Sequence, residues 1–410
     1  MQENVVKKPI DFELNTQGNI RNNSLKNIGL ILEQDPVLYG TFKYNEFTYS
    51  VDIVKSIPEL FIQKGQLDDR YNPIILRYIE DSYNTAFPEK LLNMAITVEA
   101  MRNSYNPVKD YMEQCYQEWD HTERIKDLLP TYLGVEVGEV TELQTKLFLV
   151  GAVKKVYEPG CKFDWVLDLV GGQGAGKTTF LKKIAHGWYT DQFTDFKDKD
   201  SYANMLRALI VNDDEMTATN NSDFENLKKF ISAQELEYRP PYGRNTIRRP
   251  RGFVIARTTN EITYLKDKTG ERRFLPNMVD KDKVKKSAVT DLDEATVAQV
   301  WGEAVNLYRE GFSFILTDEQ QDLIEQNREQ FQYVDEVEYQ IEKMLASFTG
   351  DWIEASEIAY KLTGSDNLVN NQKLAKKISY IMTNRKGWKK KTCRVNGLPK
   401  RGYQKVTPKG

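Results

Sequence analysis

Residues 171 to 178 read Gly-Gly-Gln-Gly-Ala-Gly-Lys-Thr, the phosphate-loop spacing G-x-x-x-x-G-K-[ST] with Gly171, Gly176, Lys177 and Thr178 at its fixed positions. Glycines let the backbone turn tightly and aim its N–H groups at phosphate oxygens, and a following helix N-terminus favours the anion. Lys177 would reach the β- and γ-phosphates of ATP, and Thr178 would hold Mg²⁺. Gly172, Gln173, Gly174, Ala175 and Thr179 complete the expected nucleotide lining. A second patch of chemistry lies downstream in Ala208-Leu-Ile-Val-Asn-Asp-Asp-Glu215, an apolar run ending in acids. Such a run places one carboxylate near Mg²⁺ and another near the attacking water. Asp214 is assigned to the metal and Glu215 to water activation, with Asp213 as the alternative register. Asn260 closes Gly252-Phe-Val-Ile-Ala-Arg-Thr-Thr-Asn260, where its amide could orient the water or sense the γ-phosphate. Arg272 and Arg273, behind Lys268-Thr-Gly, could stabilise transition-state charge on phosphate.

The elements around these residues suit the chemistry. Trp165 to Val170 is an apolar run of strand length ahead of the loop, and Thr179 to Ala185 reads as a helix after it. The connector Thr190 to Asp200 is polar. Upstream, helices are predicted over Val108 to Leu133 and Thr141 to Tyr157, with a turn at Asn106-Pro107 and a break at Pro159-Gly160. From Ser24 to Asn103 the pattern is mixed, with helical spacing at 76–83 and 90–101 and a short hairpin over 42–51. The Asp68-Asp69 pair there reads as solvated surface. Downstream, Asp291 to Tyr308, Asp318 to Tyr339, Asp351 to Leu362 and Asn370 to Thr383 read as helices. Trp388 to Val395, a turn at Asn396-Gly397 and Gly402 to Val406 read as a basic hairpin. Helix, turn, basic helix, basic hairpin is the outline of a winged helix-turn-helix.

Charge is unevenly placed. The net charge of −3 divides into +13 after Asp366, where no acid occurs, and −16 over residues 1–366. A basic end on an acidic body points to a local polyanion site. Lys373, Lys376, Lys377, Lys389, Lys390, Lys391 and Arg401 are its candidate DNA contacts. A second basic stretch, Arg239 to Arg251, holds five arginines and no acid. Tyr242, Arg244, Arg248 and Arg249 in it could grip phosphate and stack on a base, the chemistry of single-stranded DNA binding. The three cysteines and two histidines form no disulfide framework or metal cluster. No apolar run is long enough to span a membrane, and the first residues lack a signal-peptide core, so a cytoplasmic location is expected.

With these residues in view, the chain resembles the virulence-associated protein E family, phage- and mobile-island-encoded ATPases related to superfamily 3 helicases. The resemblance is densest from Tyr105-Asn-Pro-Val-Lys to Arg272-Arg-Phe-Leu-Pro276. It takes in Trp119-Asp, Gly151 to Gly160, the phosphate loop, Arg239-Pro-Pro-Tyr, Thr258-Thr-Asn260 and Gly270-Glu-Arg-Arg-Phe274. Further upstream it includes Asp35-Pro and Tyr44-Asn-Glu-Phe47. It implies that Asn260 is a sensor amide after the third core strand, that Tyr242 to Arg249 line a central DNA channel, and that Arg272 or Arg273 is an arginine finger entering a neighbouring subunit. Asn212 departs from the family, which often has Glu there, and this leaves the acidic register open. Some relatives carry a primase domain. Neither room nor signatures for one occur here, so priming would need a separate protein.

The expected fold is an α/β AAA+-type P-loop ATPase core over 106–330. A mostly helical domain over 1–105 precedes it, and a winged helix-turn-helix over 335–410 follows. The expected activity is that of a ring, a hexamer, which hydrolyses ATP and translocates on or unwinds single- and double-stranded DNA. The alternative is an ATP-dependent DNA-binding switch without unwinding. A nucleotide kinase fits poorly, because a basic tail gives no acceptor pocket.

Overall fold

The computed structural model describes residues 10–199, 201–221, 224–239, 245–265, 271–333, 336–364, 372–385 and 387–406. The chain divides into two compact units, one of residues 1–262 with 269–328 and one of residues 263–268 with 329–410.

The first unit holds two main buried cores. In the N-terminal one, α1 (Leu25–Gln34) buries Ile28, Ile31 and Leu32, the helical spacing of one face. Ser24 caps it by accepting from the Asn27 amide. Strands β1 (Phe42–Asn45) and β2 (Ser50–Ile53) form the expected antiparallel hairpin, extended by β3 (Gly65–Gln66). Helices α2 (Asn72–Tyr83) and α3 (Glu89–Arg102) close the core. The buried Asp35 accepts from the Tyr78 and Tyr83 hydroxyls at 3.0 and 2.8 Å, which satisfies a carboxylate at a helix end.

The larger core begins with α4 (Pro107–Gln117), α5 (Ile125–Leu133) and α6 (Glu139–Tyr157). Asn106-Pro107 is the N-cap and first residue of α4 rather than a simple turn. The single helix expected over 108–133 is two helices. Asp120 accepts from the Thr122 amide at 2.9 Å and pairs with both Arg124 nitrogens, a local turn that outcompetes the helix at residues 119–124.

Five strands then make one parallel sheet: β4 (Val166–Val170), β5 (Tyr189–Thr190), β6 (Ile210–Asp213), β9 (Val254–Thr259) and β10 (Phe274–Met278), in the order β10-β4-β9-β6-β5. Between them lie α7 (Lys177–Ile184), α8 (Tyr202–Met205), α9 (Thr217–Asn221), α10 (Phe224–Ser232) and the antiparallel pair β7 (Glu235–Tyr238) and β8 (Ile247–Pro250). Helices α11 (Glu294–Arg309) and α12 (Asp318–Glu329) follow. Strands β4, β6 and β9 are buried along their whole length, as expected of parallel strands covered on both faces. The short β5 lies just ahead of the polar connector and shares only Thr190 with it. Asn260 therefore follows the fourth sheet strand in chain order, not the third.

The second unit contains α13 (Glu336–Ala346), β11 (Trp352–Glu354), α14 (Ala355–Thr363), α15 (Gln372–Asn384), β12 (Trp388–Val395) and β13 (Leu398–Lys405). The segment expected as one helix over 318–339 stops at Glu329, and Leu265 then donates its amide to the Phe331 carbonyl and accepts from the Tyr333 amide, a parallel bridge opposite Gln332. The helix expected from Asp351 starts only at Ala355. Trp352 to Glu354 are instead a third strand, with Ile353 opposite Tyr403 and fully buried. Asn396 and Gly397 turn the β12–β13 hairpin at φ 52° and 81°, the geometry that Asn-Gly favours. Ile341, Ile353, Ile358, Ile378, Met382 and Tyr403 form this unit's core. Among the described residues, no helix is long and apolar enough to cross a membrane.

Candidate active site

The loop after β4 and the ends of β6 and β9 meet at one edge of the parallel sheet, beside the β4/β9 and β9/β6 pairings. That edge is where open α/β sheets bind ligands. Gly171 has φ 154°, and a Cβ there would lie 2.3 Å from the Val279 carbonyl oxygen, so no other residue fits without moving backbone. Gly176, at φ 81°, turns the chain into α7. Gly172, Gln173 and Gly174 are exposed, Ala175 is buried, and Thr178 and Thr179 are half-buried on the first turn of α7.

Lys177 is 7% exposed, and its Nζ donates to the Gly171 and Gly172 carbonyls at 2.5 and 3.1 Å and to Asn260 Oδ1 at 3.0 Å. Burial draws its pKa below the ordinary lysine value, against the opposing pull of Glu215 and Asp214. Asn260 uses its other amide atom to reach both Glu215 oxygens, at 3.3 and 3.2 Å. Lys177, the Asn260 amide and Glu215 thus form one chain of contacts.

Asp214 sits opposite Thr178. Its Oδ1 accepts from Thr178 Oγ1 at 2.9 Å, Thr258 Oγ1 at 2.8 Å and Asn212 Nδ2 at 3.2 Å. Asp213 points elsewhere. Its carboxylate accepts from the Ala218 and Thr219 amides, each at 2.8 Å, and from Thr219 Oγ1 at 2.6 Å, so it caps the helix that follows. Burial pushes the Asp213 carboxyl above its ordinary value. Asp214 and Glu215 are the acids that face the loop, and Asp213 is committed to the backbone.

Other candidates lie apart from this cluster. Arg272 and Arg273 immediately precede β10, whose first residue, Phe274, pairs with Val166 at the start of β4. The phosphate loop follows Val170 at the far end of that strand, roughly 16 Å away at about 3.3 Å per residue. The two arginines instead line a cleft of about 370 Å³ with Lys162, Trp165, Phe314 and Arg328. Arg328 fixes this turn by donating to the Arg272 carbonyl at 2.6 Å.

In the basic stretch, β7 and β8 pair as an antiparallel hairpin, and Tyr242 and Arg244 fall outside the described residues. Arg248 pairs with Glu237 at 2.8 Å, and Arg249 lies 4.3 Å over the Tyr49 ring. Arg251 is not a surface cation. It is 2% exposed and donates to the Phe230, Ile231 and Phe163 carbonyls at 3.0, 2.7 and 2.6 Å. In the second unit, Lys373 and Lys376 are exposed on α15, and Lys377 is half-buried there. Lys389, Lys390, Lys391 and Arg401 are exposed on the hairpin. Lys390 stands opposite Tyr403 and Lys391 opposite Gly402, so adjacent lysines lie on opposite faces.

The sequence reading missed a buried ion pair beneath the site. Arg257, in the middle of β9, donates to Asp168 of β4 at 2.8 and 2.5 Å, and its guanidinium lies 3.7 Å over the Phe274 ring. Each residue is a lone charge in an apolar run, a signal of a buried partner that the sequence did carry. Thr258 was also missed as an individual contributor, although its hydroxyl touches both candidate acids.

Among the described residues, no group of three or more His, Cys, Asp or Glu side chains could hold a metal. The hydroxyl of Thr178 and the single carboxylate of Asp214 are instead the hard oxygen donors from which Mg²⁺ takes one or two protein contacts, the rest coming from phosphate and water. The residues present fit that ion.

Two solved structures of the C-terminal region of NrS-1, both in its A-form apo state, are similar to this chain at 14% identity. One has a TM-score of 0.40 and the comparison covers 89% of this chain and 96% of that one; the other has 0.41, with 89% and 95% covered. No curated protein matches the sequence. A family model, the virulence-associated protein E-like domain, matches residues 112–333, more than half of the chain. That span holds the glycine loop, both acids, Asn260 and the paired arginines, and the chain belongs to the virulence-associated protein E-like family.

Proposed function

We propose that this chain is a DNA-stimulated ATPase that assembles into a ring, a hexamer by analogy with its family, and translocates on or unwinds DNA. The context would be initiation of replication of a phage or an integrated genetic island. One observation carries the reading: Lys177, Thr178, Asp214, Glu215 and Asn260 converge around a glycine loop at the ends of three adjacent strands.

Each group then has a role. The loop amides and Lys177 hold the β- and γ-phosphates of ATP. Thr178 and Asp214 hold Mg²⁺, which when bound would neutralise charge on the phosphate oxygens. Glu215 takes the proton of the water that attacks the γ-phosphorus, while the bond to the ADP oxygen breaks. Asn260 orients that water. Arg272 or Arg273 supplies charge to the site of a neighbouring copy, a reading supported by their position at the opposite end of β4 from their own loop.

The second unit is read as a winged helix-turn-helix that grips duplex DNA through α15 and the β12–β13 hairpin, and the β7–β8 hairpin as a channel loop for the strand being moved. The alternative of an ATP-dependent switch draws support from Arg248 and Arg249, which are engaged by Glu237 and Tyr49 rather than left open to a strand.

The test is ATP hydrolysis with and without single-stranded DNA, followed by strand displacement on a forked duplex. Stimulated hydrolysis with displacement is the expected result. Hydrolysis without displacement favours the switch, and no hydrolysis refutes the enzymatic reading.

A further inference from the structure

Glu215 and Met216 both have left-handed backbones, at φ 52° and 50°. Side-chain-bearing residues rarely adopt that conformation and keep it only where surroundings fix it. Here the Glu215 amide donates to Thr258 Oγ1 at 3.0 Å, and the same hydroxyl donates to Asp214 Oδ1 at 2.8 Å. Thr258 is 1% exposed, so no water competes for that hydroxyl. It has one proton to give and lone pairs to accept with, and these two contacts use both capacities in the only consistent sense.

Asn212 works on the same carboxylate from the other side. Fully buried, it directs Nδ2 to Tyr189 Oη at 2.9 Å and to Asp214 Oδ1 at 3.2 Å, and leaves its own Oδ1 without a partner. All three donors on Asp214 fall on Oδ1, and Oδ2 accepts from no described residue.

We propose that Thr258 is the positioning residue of this site. One hydroxyl turns the Asp214 carboxylate so that Oδ2 faces the metal position, and holds the Glu215 backbone so that its side chain faces the water position. Asn212 is the auxiliary donor that keeps Oδ1 occupied. A glutamate at 212 would place a second negative charge there, and the amide supplies a hydrogen bond without it. The inference rests on the ATPase reading above and adds how the two acids are aimed.

The test compares wild type with Thr258→Val, which keeps shape but loses the hydroxyl, and Thr258→Ser, which keeps the hydroxyl. Binding of a fluorescent ATP analogue is measured with and without Mg²⁺, together with kcat and KM. For Thr258→Val, kcat is expected to fall about ten- to a hundredfold, the range for losing a hydrogen bond to a charged group. Metal-free affinity is expected to stay within about threefold, and most of the tightening caused by Mg²⁺ to be lost. Thr258→Ser is expected to restore both. Wild-type turnover and Mg²⁺ response in Thr258→Val overturn the inference and leave the ATPase reading standing, and so does a serine variant as defective as the valine one. A wild-type protein that neither binds nor hydrolyses ATP removes the ATPase reading itself. Should Thr258→Val fail to fold, Asn212→Ala decides, since it removes one donor on Asp214 without touching the Glu215 backbone. A weakened Mg²⁺ response supports the positioning of Oδ2, and an unchanged response overturns it.

Discussion

Lys177 is the single charge within the phosphate loop, and its ammonium is already held by two loop carbonyls and Asn260. Replacing it by alanine removes the cation that phosphate would take over from those acceptors, so Lys177→Ala is expected to abolish nucleotide binding in an equilibrium titration. Glu215→Gln should keep binding and lose about 10²- to 10⁴-fold in turnover, because a carboxamide cannot accept the proton of water. Wild-type turnover in that variant would assign the base elsewhere. Burial lowers the pKa of Lys177, so its proton leaves at a lower pH than that of an ordinary lysine. Phosphate binding needs the protonated form. ATP affinity, measured from neutral pH to about pH 10, should therefore weaken before an unperturbed lysine would titrate. The meeting of the loop and the acids at one sheet edge was legible in the sequence because each follows an apolar run of strand length. The choice between Asp213 and Asp214 was not, since the two stand side by side at the end of β6 and only the following helix shows which one caps it.

At the level of elements, the sheet is held across its centre by Arg257 and Asp168, both buried. Truncating one partner leaves an uncompensated charge in the core, so Asp168→Ala is expected to cost about 3–5 kcal/mol in denaturant unfolding. A loss under about 1 kcal/mol would mean that the pair is dispensable for the sheet. The sequence showed the strands well where apolar runs were long, as in β4, β6 and β9. It misplaced boundaries where local polar contacts or distant pairing decide. Asp120 and Arg124 break α4 from α5, and Trp352 to Glu354 become a strand only because Gly402 to Gln404 lie alongside. Arg251 counts only as the end of a basic stretch in the sequence, because composition cannot show three carbonyls converging on it.

For the whole molecule, the proposed function assigns two kinds of DNA contact to two basic parts of an otherwise acidic chain. Deleting residues 340–410 is expected to weaken duplex binding strongly, with most of the salt dependence lost, while leaving basal hydrolysis largely intact. Arg244→Ala with Arg248→Ala should do the reverse, sparing duplex binding and reducing DNA stimulation and unwinding. Fluorescence anisotropy and strand displacement at one salt concentration distinguish the two, and normal unwinding by the hairpin variant would exclude the channel role. The central claim is that ATP is hydrolysed between copies of this chain, because the paired arginines lie at the end of β4 opposite their own phosphate loop. The most direct measurement mixes Lys177→Ala protein with the Arg272→Ala/Arg273→Ala double variant and follows ATP hydrolysis. Each inactive partner supplies what the other lacks, so activity should reappear in mixed rings. An arginine finger of this kind is worth about 10³- to 10⁵-fold in rate, so even partial complementation stands well above either parent. Stable mixed oligomers with no activity, or a dilute monomer with full activity, would contradict a shared site.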